Sequence, residues 1–162
     1  MMKMVSGEKL SNRVNQQVKV YVFYGGTGLG KTYSAMFLMD DPNNVFKMDP
    51  PGKGQPLWFD AYDGQGTIVF DEFEGDNFCD MRTLNGLLDV YKKRIPVKGS
   101  FNWALWTTVI ICSNTPPRAW YEVNPIEVER LLFPLKRRIY QIRKFIAKGI
   151  YVLEDWDGNI IS

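Results

Sequence analysis

The chain has 162 residues, 45% of them apolar and 23% charged, with a formal net charge of +2 and no histidine. That length fits one domain with a substantial core. The lack of any run of about 18 apolar residues excludes a helical membrane span. Without histidine, general-base and metal chemistry built on imidazole is excluded, so any catalysis rests on carboxylates, Lys, Arg and bound metal.

Residues 1–16 are polar, lack the apolar core of a secretion signal, and read as an arm or short helix. An apolar, β-branched strand is predicted over 18–23, then the glycine-rich run Gly25-Gly26-Thr27-Gly28-Leu29-Gly30-Lys31-Thr32 and a helix to about 39. Asp40 to Asn44 is turn chemistry. A short strand is expected at 45–48, a Pro/Gly loop at 49–56 and a buried strand at 67–70. Leu84, Leu87, Leu88 and Tyr91 fall at i, i+3, i+4, i+7 and predict an amphipathic helix over 83–91. Residues 95–106 read as a hairpin turning at Lys98-Gly99-Ser100, 107–112 as a second buried strand and 126–138 as helix. The tail, 146–162, reads as an extension with a hairpin around Asp157-Gly158. Alternating buried strands and helices give an α/β class: a mostly parallel sheet covered on both faces, with the ligand at the carboxyl ends of the strands.

Three motifs carry chemistry. Gly25 to Thr32 fits G-x-x-x-x-G-K-[ST] between a strand and a helix. In that context backbone N–H groups and the helix N-terminus cradle phosphate, Lys31 reaches the β- and γ-phosphates, and the Thr32 hydroxyl ligates Mg²⁺. The strand Thr67 to Phe70 runs into Asp71-Glu72. Asp71 suits the metal and Glu72 the attacking water. A buried strand ending in two carboxylates calls for a balancing cation. Ser113-Asn114 closes the third strand. Asn114 suits a turn or cap, but its place in the order favours a contact to the γ-phosphate or the water. Basic residues cluster at Lys92-Lys93-Arg94 with Lys98, and at Lys136-Arg137-Arg138 with Arg143 and Lys144; each cluster is either a solvated face or a polyanion contact. Phe101, Trp103 and Trp106 read as packing rather than base-stacking residues. Cys79 and Cys112 lack metal-ligand spacing and suit a reducing compartment, Cys112 as a small buried hydrophobe.

These motifs, in this order, resemble the superfamily 3 helicase domain of circovirus-like replication-associated proteins. The matching segments are Gly25 to Thr32, Ile68 to Phe73, Val97-Lys98-Gly99, Val109 to Asn114 and Leu135 to Ile139, so the likeness spans about 17–145. The resemblance implies a P-loop ATPase of the AAA+ type, with a hairpin before the sensor strand, that hydrolyses ATP with Mg²⁺ at the subunit interfaces of a homo-oligomeric, hexameric ring. It implies single-stranded DNA as partner, gripped by Lys98, and an arginine finger at Arg137 or Arg138. It implies rolling-circle replication in the host nucleus, away from membranes. The family's nicking domain uses histidines, which this chain lacks. A P-loop ATPase acting on RNA, a small-molecule phosphotransferase and a nucleotide-gated binding module are the alternatives. The phosphotransferase would need an arginine lid. The binding module would not need the paired Asp71-Glu72.

Overall fold

The computed structural model describes residues 18–52, 54–89 and 93–162. The expected arm at 1–16 and the end of the helix expected at 83–91, with Tyr91 and Lys92, lie outside these residues. A six-stranded sheet organises the molecule in the order β2-β3-β6-β1-β7-β8. Its strands are β1 (Lys19–Gly25), β2 (Val45–Met48), β3 (Thr67–Phe73), β6 (Thr108–Ser113), β7 (Gln141–Ala147) and β8 (Ile150–Glu154). β1, β2, β3, β6 and β7 are parallel, and only β8 runs against its neighbour. The hairpin β4 (Arg94–Val97) and β5 (Ser100–Trp103) stands apart as its own two-stranded sheet.

Both faces of the sheet are covered, by helices α1 (Lys31–Phe37), α2 (Met81–Leu87) and α3 (Val128–Arg138). Val20, Val22, Ile68, Phe70, Val109 and Ile111 line one face and pack with Leu84 and Leu87 of α2 and Leu135 of α3. Phe23, Val69, Ile110 and Cys112 line the other and pack with Ala35 of α1. The central strands are therefore apolar on both faces, as parallel strands buried on both sides must be. Asp80 starts α2 by accepting the Thr83 N–H at 2.7 Å, the capping role its short carboxylate suits.

The hairpin is shorter than the sequence predicts. It ends at Trp103, and Trp106 turns into the core, where it is fully buried beside Phe59 and Tyr62. Phe101 stays exposed, with Arg94 over its ring. The larger departure is β7. Its alternating sequence QIRKFIA pairs with β1 through the register Gly25↔Phe145 and continues past residue 146 into a hairpin with β8. The tail reverses around Asp157-Gly158 as expected: the Leu153, Asp155 and Ile161 N–H groups donate to the Ser162, Asn159 and Leu153 carbonyls, each at 2.9 Å, and Glu154 bridges Ile160 antiparallel. The second basic cluster is thereby divided. Lys136, Arg137 and Arg138 end α3, whereas the Arg143 guanidinium lies 4.5–5.5 Å from the ring centres of Tyr21, Phe23 and Tyr151.

Candidate active site

β3, β6 and β1 are adjacent, so their carboxyl ends bring the three sequence motifs to one cleft. The cleft encloses about 600 Å³, and Gly28, Lys31, Thr32, Asp71, Glu72 and Asn114 are among its walls. Two glycines shape the loop. Gly25 has φ 145°, and a Cβ there would sit 2.5 Å from the Phe145 carbonyl oxygen of β7. Gly30 begins α1 in the left-handed conformation at φ 81°. Behind the loop, the Gly149 N–H in the β7–β8 turn donates to the Leu29 carbonyl at 2.9 Å.

Lys31 is folded back on its own loop. Its ammonium donates to the carbonyls of Gly25 at 2.6 Å and Gly26 at 2.7 Å, and to Asn114 Oδ1 at 3.2 Å. Burial lowers its pKa from the ordinary lysine value, and the negative charge of Asp71 works the other way. The Thr32 hydroxyl donates to Asp71 Oδ1 at 2.9 Å, joining the start of α1 to the end of β3. Oxygen donors alone, one hydroxyl and one carboxylate, suit Mg²⁺, which keeps several waters and takes its remaining ligands from substrate phosphates. Among the described residues no group of three His, Cys, Asp or Glu side chains forms a self-sufficient metal cage.

Glu72 is the one non-glycine among the described residues with positive φ, at 51°. The register between β3 and β6 shifts between Phe70 and Phe73, and this irregularity turns Glu72 out to the cleft while Asp71 stays buried. A glutamate held in this region costs about 1 kcal/mol or more and persists only where its surroundings impose it. Asn77 contributes by donating its side-chain amide to the Glu72 carbonyl at 3.1 Å.

Lys47, on β2, belongs to none of the three motifs. Its ammonium lies 3.5 Å from Asp71 Oδ2 and 3.2 Å from Asp49 Oδ1. Burial opposes its charge, but hydrogen bonds and charges from Asp49 and Asp71 outweigh it and hold its pKa above the ordinary lysine value. Burial of Asp71 is thus balanced within the chain and does not by itself demand a metal. Cys112, also on the cleft wall, is buried, and burial first and the Asp71 charge second push its thiol pKa well up. It is an inert wall rather than a nucleophile.

The remaining predicted residues lie elsewhere. Lys98, Arg137 and Arg138 do not line the cleft. Lys98 is exposed at the hairpin tip, whose backbone is braced by Asp60 accepting the Lys98 N–H at 2.8 Å. Arg138 is engaged locally: it donates to both oxygens of Asp89, at 3.0 and 3.3 Å, and to the Pro134 carbonyl at 2.7 Å. Arg138 is therefore paired within its own chain, by a carboxylate 49 positions away in sequence. Arg137 is exposed.

A glycine loop with its lysine, paired carboxylates and an asparagine at the ends of adjacent parallel strands give the domain the α/β architecture of a P-loop NTPase. Comparison with known sequences narrows the class. The family model described as RNA helicase matches residues 21–115. The replication-associated protein of beak and feather disease virus is 36% identical over 65% of this chain and 33% of its own length. That of pigeon circovirus is 36% identical over 71% of this chain and 33% of its own length. That of porcine circovirus 1 is 27% identical over 93% of this chain and 46% of its own length. The chain belongs to the helicase-domain family of circovirus-like replication-associated proteins. It spans about a third of the length of the two avian circovirus relatives.

Proposed function

We propose that this domain hydrolyses ATP and couples the hydrolysis to movement along, and unwinding of, single-stranded DNA during viral replication. The observation that carries the reading is the convergence of Lys31, the Thr32–Asp71 pair, Glu72 and Asn114 on one cleft. Loop amides and Lys31 bind the phosphates, the ammonium exchanging the Gly25 and Gly26 carbonyls for phosphate oxygens. Thr32 and Asp71 would hold Mg²⁺, which would supply positive charge to offset that of the phosphates. Glu72, exposed and fixed in its left-handed turn, accepts the proton of the attacking water. Asn114, released from Lys31, orients that water or the γ-phosphate.

A family of ring helicases gives the exposed Arg137 a role in trans, as a finger on a neighbouring subunit's nucleotide in a hexamer. Arg138, tied to Asp89, then holds the end of α3 in place. Lys98 at the hairpin tip suits a contact to the phosphate backbone. Basic residues on a hairpin and at a helix end, rather than an arginine lid over the cleft, favour a nucleic-acid motor over a small-molecule phosphotransferase.

The test is the ATP turnover rate against protein concentration, with no nucleic acid, with single-stranded DNA and with single-stranded RNA. Turnover per subunit that rises with concentration and is stimulated by DNA supports the reading. Stimulation by RNA alone moves the substrate to RNA. A rate indifferent to both concentration and nucleic acid contradicts the motor.

A further inference from the structure

Asp71 presents its two oxygens to two different partners. Oδ1 accepts the Thr32 hydroxyl at 2.9 Å, and Oδ2 faces the Lys47 ammonium at 3.5 Å. The arrangement is set by the sheet. β2 and β3 run parallel with Lys47 opposite Val69, so a lysine stem extending forward from Lys47 reaches the residue two positions beyond. Asp71 is 7% exposed, and a carboxylate so poorly hydrated needs a counter-charge. Lys47 also has a second seat. Asp49 lies two residues on, 3.2 Å from the same ammonium, with a side chain 62% exposed. One cation is thus shared between an inner carboxylate and an outer one.

We propose that Lys47 is the resident counter-cation of the metal site: it neutralises Asp71 while nucleotide is absent and withdraws onto Asp49 when the metal–nucleotide complex enters. This rests on the nucleotide-hydrolase reading above and adds to it a coupling between metal entry and nucleotide entry. The physical reason is competition for one carboxylate. A divalent ion arriving alone finds one hydroxyl and one carboxylate, too few ligands for a hard cation, and must displace an ammonium as well. An ion arriving with nucleotide brings phosphate oxygens to complete its shell, and Asp49 receives the displaced charge. Lys47 is therefore a positioning residue, acting through Asp71 and not on the reacting atoms.

The test is binding of Mn²⁺, followed by its electron paramagnetic resonance, to the parent chain and to Lys47→Met, Lys47→Arg and Asp49→Asn. Each is measured with and without a non-hydrolysable ATP analogue. Lys47→Met should bind Mn²⁺ alone at least about tenfold more tightly than the parent, one near charge being worth a logarithmic unit or more at a carboxylate. Lys47→Arg should stay close to the parent. Asp49→Asn, a change at an exposed position, should weaken Mn²⁺ binding in the presence of the analogue about fivefold or more, because the ammonium loses its outer seat. It should leave binding of the analogue without metal unchanged. If folded Lys47→Met binds Mn²⁺ alone no better than the parent, or if Asp49→Asn leaves Mn²⁺ binding with the analogue unchanged, the role of Lys47 is overturned. If the parent itself binds no Mn²⁺ even with the analogue, the hydrolase reading falls, and the proposal with it.

Discussion

Lys31 and Asn114, 83 positions apart, meet at 3.2 Å at the mouths of adjacent strands. The Asn114 side-chain oxygen accepts from the Lys31 ammonium, beside the Gly25 and Gly26 carbonyls. Asn114→Ala should leave ATP affinity within a few-fold, because the Gly25 and Gly26 carbonyls still hold Lys31, while turnover falls about 10²-fold for loss of an orienting group. Asn114→Asp should act differently. A carboxylate beside the ammonium competes with phosphate, and ATP affinity should fall about tenfold or more. Nucleotide titration beside steady-state turnover separates the two. Equal affinity in both variants would mean that Asn114 does not govern Lys31.

Arg137 and Arg138 should part company. Arg138→Ala removes the pair with Asp89 and the bond to the Pro134 carbonyl, at side chains 16% and 35% exposed. A half-buried pair of this kind should cost about 1–2 kcal/mol, read as a lower thermal midpoint. Arg137→Ala should leave the midpoint in place and lower turnover by about 10³-fold or more, the scale of an arginine finger. Mixing it with Lys31→Ala should restore part of the activity, since each supplies what the other lacks. No rescue, with parent turnover independent of concentration, would mean a self-contained monomer.

Much of this site is legible in the sequence because its chemistry is written in contiguous runs. Gly25 to Thr32, Asp71-Glu72 and Ser113-Asn114 each sit at the end of an apolar strand, and parallel topology brings strand ends together. What stays hidden depends on pairing across the chain. Lys47 reads as an ordinary polar position in a short strand, and only the β2–β3 register brings it to Asp71. β7 reads as part of a basic cluster because Arg143 and Lys144 dominate it. Its Ile142 and Phe145 are the buried positions, and Arg143 is accommodated by aromatic rings rather than by solvent. The pairing of Arg138 with Asp89 likewise joins α3 to the end of α2, a contact no local pattern announces. The hairpin tip is legible, since Lys98-Gly99 needs the positive φ of 78° that Gly99 supplies.

A contact that reaches from β1 across β7 to β8 gives the fold an alkaline limit. The Tyr24 hydroxyl donates to the buried carboxylate of Glu154. Burial first, then the hydrogen bond and charge of Glu154, push the Tyr24 pKa from 10.0 up to about 12. The folded state therefore keeps a proton that the unfolded chain gives up. The contribution is fully present below about pH 10 and is lost as pH rises towards about 12, on the order of 2–3 kcal/mol in all. Denaturant titrations from about pH 8 to about 11.5 should show stability falling above about pH 10. Tyr24→Phe should be less stable at about pH 8 yet show a shallower alkaline fall. An equal slope in both proteins would assign the loss elsewhere, first to Tyr121, whose pKa burial also raises.

Lys98 should matter for nucleic acid and not for folding. Its side chain is exposed, while its backbone is what Asp60 braces. Lys98→Ala should weaken single-stranded DNA binding with little dependence on sequence and reduce the salt slope by roughly 0.7 for each phosphate no longer neutralised. Basal ATP turnover should be nearly unchanged because Lys98 lies outside the cleft. If affinity and salt slope both match the parent, the grip lies elsewhere, and the Lys136 end of α3 becomes the candidate.

The central claim is that Glu72 activates water in this cleft, and its backbone offers an unusually direct control. Glu72→Gln keeps size and conformation but cannot take a proton. Glu72→Gly also removes the carboxylate but relieves the left-handed strain at φ 51°. Single-turnover hydrolysis of ATP with Mg²⁺ should fall about 10²–10⁴-fold in both variants while each still binds ATP. Glu72→Gly should unfold no more easily than the parent, and up to about 1 kcal/mol less easily. Hydrolysis by either folded variant at the parent rate would contradict the account, because water would then be activated without the Glu72 carboxylate.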